Sequence, residues 1–157
     1  ETPLEAMTGR VLPHEPLVVV PILRAGLGMV QPFLDTFPDV SVGYLGLERD
    51  HETAVARNYY CKLPPLEGRR VFLVDPMLAT GASLEKVYRM LMQRGMPSQV
   101  HIVSVIASRF GLNTLRAKLP EDVHFWIGTI DEELTAQSYI VPGLGDAGDL
   151  AFGIKEE

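Results

Sequence analysis

Cysteine is nearly missing from this chain: Cys61 stands alone among 157 residues, which excludes an intrachain disulfide and any multi-thiolate metal site. It flanks an apolar stretch and reads as a buried thiol, and such sparing cysteine usage suits a reducing, cytoplasmic setting. Long hydrophobic runs are missing too. No uninterrupted apolar stretch approaches the roughly 18 residues a membrane span needs, and Glu1-Thr2-Pro3-Leu4 has no leader-peptide character. Basic charge is scarce: fourteen Lys and Arg against twenty Asp and Glu give a formal net charge of -6, so the chain as a whole does not attract a nucleic-acid backbone. The four histidines, His14, His51, His101 and His124, have no metal-ligand spacing. His101 and His124 enter strand-like segments and read as structural, whereas His51 lies where it can sense a phosphate.

What is present is ordinary for a globular protein, with 46% apolar and 22% charged residues. The length suits one domain over residues 1–157 better than two small ones. Apolar, β-branched runs predict strands at Pro16–Ile22, Val40–Leu47 and Val71–Val74, with more at Asn58–Leu63, Val100–Ile106 and Val123–Ile130. Within the last of these, Phe125 and Trp126 read as core packing. Leu84, Val87, Tyr88, Leu91 and Met92 recur at helical spacing up to Gly95, and Leu112–Leu119 predicts a short helix. Strands alternating with helices indicate an α/β fold, a mostly parallel open sheet flanked by helices, with Asn58–Leu63 in an arm.

In such sheets ligands sit beyond the carboxyl ends of the strands. Three polar or glycine-rich segments fall at predicted ends: Arg24–Gly28, Asp75–Ser83 and Gly143–Asp149. In the second, Thr80, Gly81 and Ser83 lie where the next helix begins. Exposed amides at a helix start can cradle a phosphate, with the hydroxyls adding hydrogen bonds; equally, Thr80 or Ser83 can be a plain N-cap and Gly81 a turn residue. Asp75 can accept from vicinal ribose hydroxyls, help place a metal-bound sugar phosphate, or cap the turn. The triphosphate-loop spacing and its lysine are absent, and Gln31 stands where a dinucleotide fingerprint needs a third small residue. Arg24 and Arg49 each follow a predicted strand, where a guanidinium can clamp a diphosphate or make a surface ion pair.

The segments Pro21–Met29, Asp75–Gly81 and Tyr139–Asp149, with Asp131-Glu132 between the last two, occur in an order and with residues that closely resemble the uracil phosphoribosyltransferases. The resemblance implies a type I phosphoribosyltransferase-like fold with a small base-binding C-terminal segment and a projecting arm. It implies transfer of the 5-phosphoribosyl group from 5-phosphoribosyl 1-diphosphate to uracil, giving UMP and diphosphate, with Mg²⁺ carried mainly on the diphosphate substrate and no direct protein ligand. It also implies a homodimer or higher homo-oligomer. Arg24, Arg49 and Asp75 become the catalytic candidates. The sugar-diphosphate site adds Pro76, Met77, Leu78, Ala79, Thr80, Gly81, Ala82, Ser83 and Asp146. The uracil site comprises Tyr139, Ile140, Gly145, Asp146 and Ala147, where fixed backbone groups can tell uracil from cytosine. Asp50–Lys62, with Arg57, Tyr59 and Tyr60, is a candidate cover or subunit arm.

The chain departs from the family pattern in places. Ala82 stands where a second loop glycine is common, Leu150 where arginine is frequent, and Ser108-Arg109-Phe110-Gly111 replaces a proline-acid-glycine turn, read here as peripheral. The family carries a further helical region ahead of the segment matching Thr2-Pro3-Leu4, so the resemblance implies a catalytic domain without it. Two other classes fit the fold: a pyrimidine-responsive RNA regulator, disfavoured by the charge, and a catalytically weakened structural subunit, disfavoured by the Arg24, Asp75, Thr80 and Asp146 set.

Overall fold

The structure is a computed structural model that describes residues 2–9, 15–49 and 56–153. His14, His51 and positions 50–55 of the candidate cover lie outside the described residues, as do the side chains of Arg49 and Arg57. The chain begins its sheet with β1 (Leu17–Leu23), followed by a 3₁₀ turn (Ala25–Met29) that runs into α1 (Val30–Thr36). The expected strand at Val40–Leu47 is split into β2 (Ser41–Val42) and β3 (Tyr44–Arg49). The break falls at Gly43, whose N–H donates to Val19 O at 2.9 Å. A Cβ there would come within 2.8 Å of Leu63 Cδ2, so only glycine passes this point without displacing its neighbour.

The chain continues through β4 (Ala56–Lys62), β5 (Arg70–Val74), β6 (Met77–Leu78), α2 (Ala82–Met92) and β7 (Gln99–Ser108). It finishes with α3 (Arg109–Lys118), β8 (His124–Asp131), β9 (Glu133–Leu134), β10 (Ile140–Val141) and α4 (Ala147–Phe152). Among the described residues, eight strands form one sheet. β1 lies between β5 on one edge and β2 and β3 on the other, while β7 lies between β5 and β6 on one edge and β8 on the other. All these pairings are parallel; β4 alone runs antiparallel, along β3 at the sheet edge, where the arm strand was expected.

Strand alternation sorts the core. Val18, Val20, Val71, Leu73 and Ile102 pack with Leu84, Val87 and Leu91 of α2 and with Leu112 and Leu115 of α3. Val19 and Val74 face the other way and pack on Val30 of α1, with Phe33 and Phe72 beside them. Each fully buried leucine or valine stabilises the fold by about 1.5–3 kcal/mol relative to exposure. The helix after β1 therefore covers one face and the helix after β5 covers the other. That reversal leaves a crevice at the carboxyl ends of β1 and β5.

Trp126 departs from its expected core position, being 57% exposed. Neighbouring strand residues point to opposite faces, so when Phe125 packs with the α2–α3 core, Trp126 turns to the face that α1 covers only around Val19 and Val74. Its indole N–H donates to His101 Nδ1 at 3.0 Å. His101 is buried and stacks on Phe72 with ring centroids 4.7 Å apart. Burial, then the charges of His124 and Arg70, push the His101 imidazole down to about 4.

Candidate active site

The segment after β5 closes on itself before α2 begins. Asp75 N–H donates to Val103 O at 3.1 Å, and Asp75 Oδ1 accepts from Met77 N–H at 3.2 Å. Met77 and Leu78 pair with Ile106 and Ala107, a short strand that aligns the loop with the end of β7. The N-cap of α2 is Gly81, with φ of 81°, which has no side chain of its own to cap the helix start. Thr80 Oγ1 accepts a long hydrogen bond from Ala82 N–H at 3.4 Å. Thr80 therefore engages the first amide of the helix, as the cap alternative has it, while among the described residues no cap bond reaches the amides of Ser83 and Leu84. An eleven-residue helix starts from a glycine N-cap, which leaves the amides after Ala82 and the positive end of the dipole without a side-chain partner among the described residues. It borders a small cleft of about 50 Å³ lined by Asp75, the Met77–Gly81 run, Ser83 and Leu84.

The loop rests on the start of α3. Ser108, fully buried, donates its hydroxyl to Ala79 O at 2.5 Å and accepts from Gly111 N–H at 2.8 Å. Any Cβ at Gly111 would collide with Ala79 O, and one at Gly81 would meet Leu115 Cγ at 2.8 Å. The Ser108–Gly111 turn, expected to be peripheral, is thus the floor of the phosphate-loop candidate. Sequence reasoning missed it because Ser108 and Ala79 are 29 positions apart.

Three segments meet at the crevice. Gly26 follows the end of β1, and a Cβ on it would lie 2.5 Å from Val74 O, which seats the Arg24–Gly26 turn on the end of β5. The Leu23–Arg24 peptide is cis. Arg24 Nη2 donates to Asp149 Oδ1 at 2.7 Å and to Gly153 O at 3.1 Å, tying the turn to α4. Burial pushes the half-buried Asp75 carboxyl up to about 7, against the pull of the Met77 N–H, and the charge of Asp146 raises it further. Asp146 is also the N-cap of α4, accepting from Asp149 N–H at 2.9 Å. Arg49 ends β3, three residues beyond Gly46, the partner of Leu23 at the end of β1; its side chain lies outside the described residues.

The C-terminal segment forms a small hairpin in which β10 pairs antiparallel with β9. Tyr139 is half-exposed and its N–H donates to Thr135 Oγ1 at 3.1 Å, whereas Ile140 is buried. Asp131, at the end of β8, accepts from Gly143 N–H at 2.9 Å and holds the turn that follows. Gly145, with φ of 76° and open space around its Cα, and the half-buried Ala147 complete the segment. Glu132 is bound bidentately by Arg109 at 2.6–3.2 Å, which links the hairpin to α3. Pro76 and Ala79 are half-buried along the phosphate loop, Ala82 is exposed, and Leu150 is 72% exposed.

A parallel sheet whose reversal point carries an acid, a glycine-turned helix start and a nearby arginine defines a protein of the phosphoribosyltransferase fold class. A hypoxanthine phosphoribosyltransferase of Staphylococcus aureus shares that fold at a TM-score of 0.60 and 17% identity, over 77% of this chain and 65% of the other. More specifically, the chain belongs to the uracil phosphoribosyltransferase family, whose profile matches residues 1–154. The uracil phosphoribosyltransferase of Agathobacter rectalis is 49% identical over 99% of this chain and 74% of its own length. A solved protein of Aquifex aeolicus superposes at a TM-score of 0.85 with 41% identity, covering 92% of this chain and 68% of that one.

Proposed function

We propose that this chain transfers the 5-phosphoribosyl group from 5-phosphoribosyl 1-diphosphate to uracil, giving UMP and diphosphate. The observation that carries the reading is the glycine-turned start of α2 at Gly81, beside Asp75, in a chain of this family. A 5′-phosphate would take the amides and hydroxyls of Thr80–Ser83, and Asp75 would accept from the ribose hydroxyls. Arg24 and Arg49 would hold the diphosphate and stabilise the charge it gathers on leaving. The backbone from Tyr139 to Ala147 would hold uracil with N1 directed at the anomeric carbon. The C1′–diphosphate bond breaks as the C1′–N1 bond forms, and the N1 proton is released. No covalent intermediate on the protein is needed.

The donor set suits a hard cation that arrives with phosphate oxygens and water. Asp75 and Asp146 lie close enough for the charge of one to raise the proton affinity of the other, and Mg²⁺ is commonly held by one or two carboxylates together with substrate phosphates. When bound there it neutralises diphosphate charge. We take the working form to be a homo-oligomer in the cytoplasm that uses neither nucleic acid nor membrane; among the described residues no helix is long and apolar enough to cross a membrane.

The test is a Mg²⁺-dependent assay with 5-phosphoribosyl 1-diphosphate and a panel of free bases, following diphosphate release. Uracil-selective turnover is expected. Turnover with a purine and not with uracil sinks the base assignment, and no turnover by the folded protein sinks the enzymatic one.

A further inference from the structure

The contact between Arg24 and α4 joins two parts of the crevice that the sequence presents as separate motifs. Asp149 is the third residue of α4, and its N–H, Oδ1 and O are all committed. Its N–H donates to Asp146 Oδ1 at 2.9 Å, its Oδ1 accepts from Arg24 Nη2 at 2.7 Å, and its O accepts from Gly153 N–H at 2.9 Å. Gly153 O in turn accepts from the same Nη2 at 3.1 Å. Gly148 leaves room for the cap, since a Cβ on it would lie 3.2 Å from Asp146 Oδ1, while Ala25 sits alongside at ordinary contact distance.

The energetics argue that this pair is not there for stability. Its two side chains are 32% and 34% exposed, and ion pairs open to solvent to this extent contribute little. The arrangement leaves Arg24 Nε buried with no hydrogen-bond partner among the described residues. A buried donor without an acceptor is costly unless something supplies the missing oxygen. A free arginine also has many rotamers to lose before it can grip a ligand, and holding the guanidinium by one nitrogen removes much of that cost in advance.

We propose that Asp149 is a positioning residue that sets the rotamer of Arg24 before substrate arrives. Held through Nη2, the guanidinium presents its remaining donors as a preformed clamp for diphosphate oxygens. Because Asp146 caps the same helix, the clamp is tied to the turn read above as the uracil pocket. Asp149 touches neither substrate in this scheme and acts only through Arg24. The inference rests on the function proposed above and extends it to a residue outside that reaction scheme.

The experiment compares the wild-type chain with Asp149→Ala, Asp149→Asn, Arg24→Ala and the Arg24→Ala/Asp149→Ala double variant. Steady-state kinetics give kcat and both KM values, and calorimetry with inorganic diphosphate and Mg²⁺ gives affinity independently of turnover. Asp149→Ala is expected to lower kcat and diphosphate affinity about tenfold each, the scale of one charge-assisted hydrogen bond. The KM for uracil and the melting temperature stay near wild type. Asp149→Asn, whose amide oxygen still accepts, recovers part of the loss. Adding Asp149→Ala to Arg24→Ala produces no further loss.

Losses that multiply in the double variant mean that Asp149 acts on the fold and not through Arg24, and they overturn the proposal. An Asp149→Ala protein with wild-type diphosphate affinity overturns it too, as does a wild-type chain that binds no diphosphate. A wild type that binds diphosphate but transfers nothing to uracil refutes the function reading alone, because the binding arm still decides the role of Asp149.

Discussion

Asp75→Asn tests the electrostatics of the crevice with a sign that can be worked out beforehand. The carboxyl rises from 3.8 to about 7 on folding, chiefly through burial. The folded protein therefore binds the proton more tightly than the unfolded chain. The stabilising contribution is fully present below 3.8 and is lost as pH rises through about 7. At about 1.36 kcal/mol per unit, the ionised carboxylate costs the fold roughly 4 kcal/mol above that range. Asparagine carries no charge at any pH. Its own hydrogen bonding adds a constant offset, so the informative quantity is how the stability difference between variant and wild type changes with pH. Urea unfolding between about pH 4.5 and about pH 8 should show the variant gaining about 3 kcal/mol on the wild type. A difference constant to within about 0.5 kcal/mol over that interval would refute the reasoning. The same substitution should abolish a pH-dependent strengthening of 5-phosphoribosyl 1-diphosphate binding that wild type shows as pH rises through about 7.

Ser108→Ala leaves Ala79 O and Gly111 N–H without their shared hydroxyl, so it should cost roughly 1–3 kcal/mol in chemical denaturation. It should also raise the KM for the sugar diphosphate while leaving that for uracil unchanged; equal changes in both would contradict a role confined to the phosphate loop. Gly81→Ala forces a Cβ to 2.8 Å from Leu115 Cγ at a φ of 81°, and should destabilise by about 2 kcal/mol or more on melting while weakening ribose 5-phosphate binding. Trp126→Phe removes the indole donor to His101 Nδ1, outside the residues assigned to the crevice. It is expected to cost about 1 kcal/mol of stability and leave turnover unchanged in the diphosphate-release assay.

Much of the scaffold is legible in the chain because the signals are local. The runs Val18–Val20 and Val71–Val74 announce buried parallel strands, and Leu84, Val87 and Leu91 place one face of α2 against them, as found. The loop from Asp75 to Ser83 was recognisable because acid, glycine and hydroxyls sit within nine positions at a strand-to-helix junction. Local pattern failed where orientation or long-range contact decides. An apolar strand does not say which of two adjacent aromatics the helices will cover, so Trp126 was placed on the wrong side. A threonine before a helix does not say how firmly it caps, and only the tertiary structure shows a single long bond, 3.4 Å, from Ala82 N–H to Thr80 Oγ1.

By itself, then, the sequence determined the alternation of strands and helices, the position of the phosphate-loop candidate and, through three ordered motifs, the family. Only the tertiary structure decided that Ser108 supports that loop across 29 positions and that Asp149 holds Arg24 across 125. Hydrophobic periodicity is set by residues a few positions apart and survives in a one-dimensional reading. A hydrogen bond of under 3 Å between distant residues depends on how every intervening strand and helix is stacked, and no local pattern encodes it.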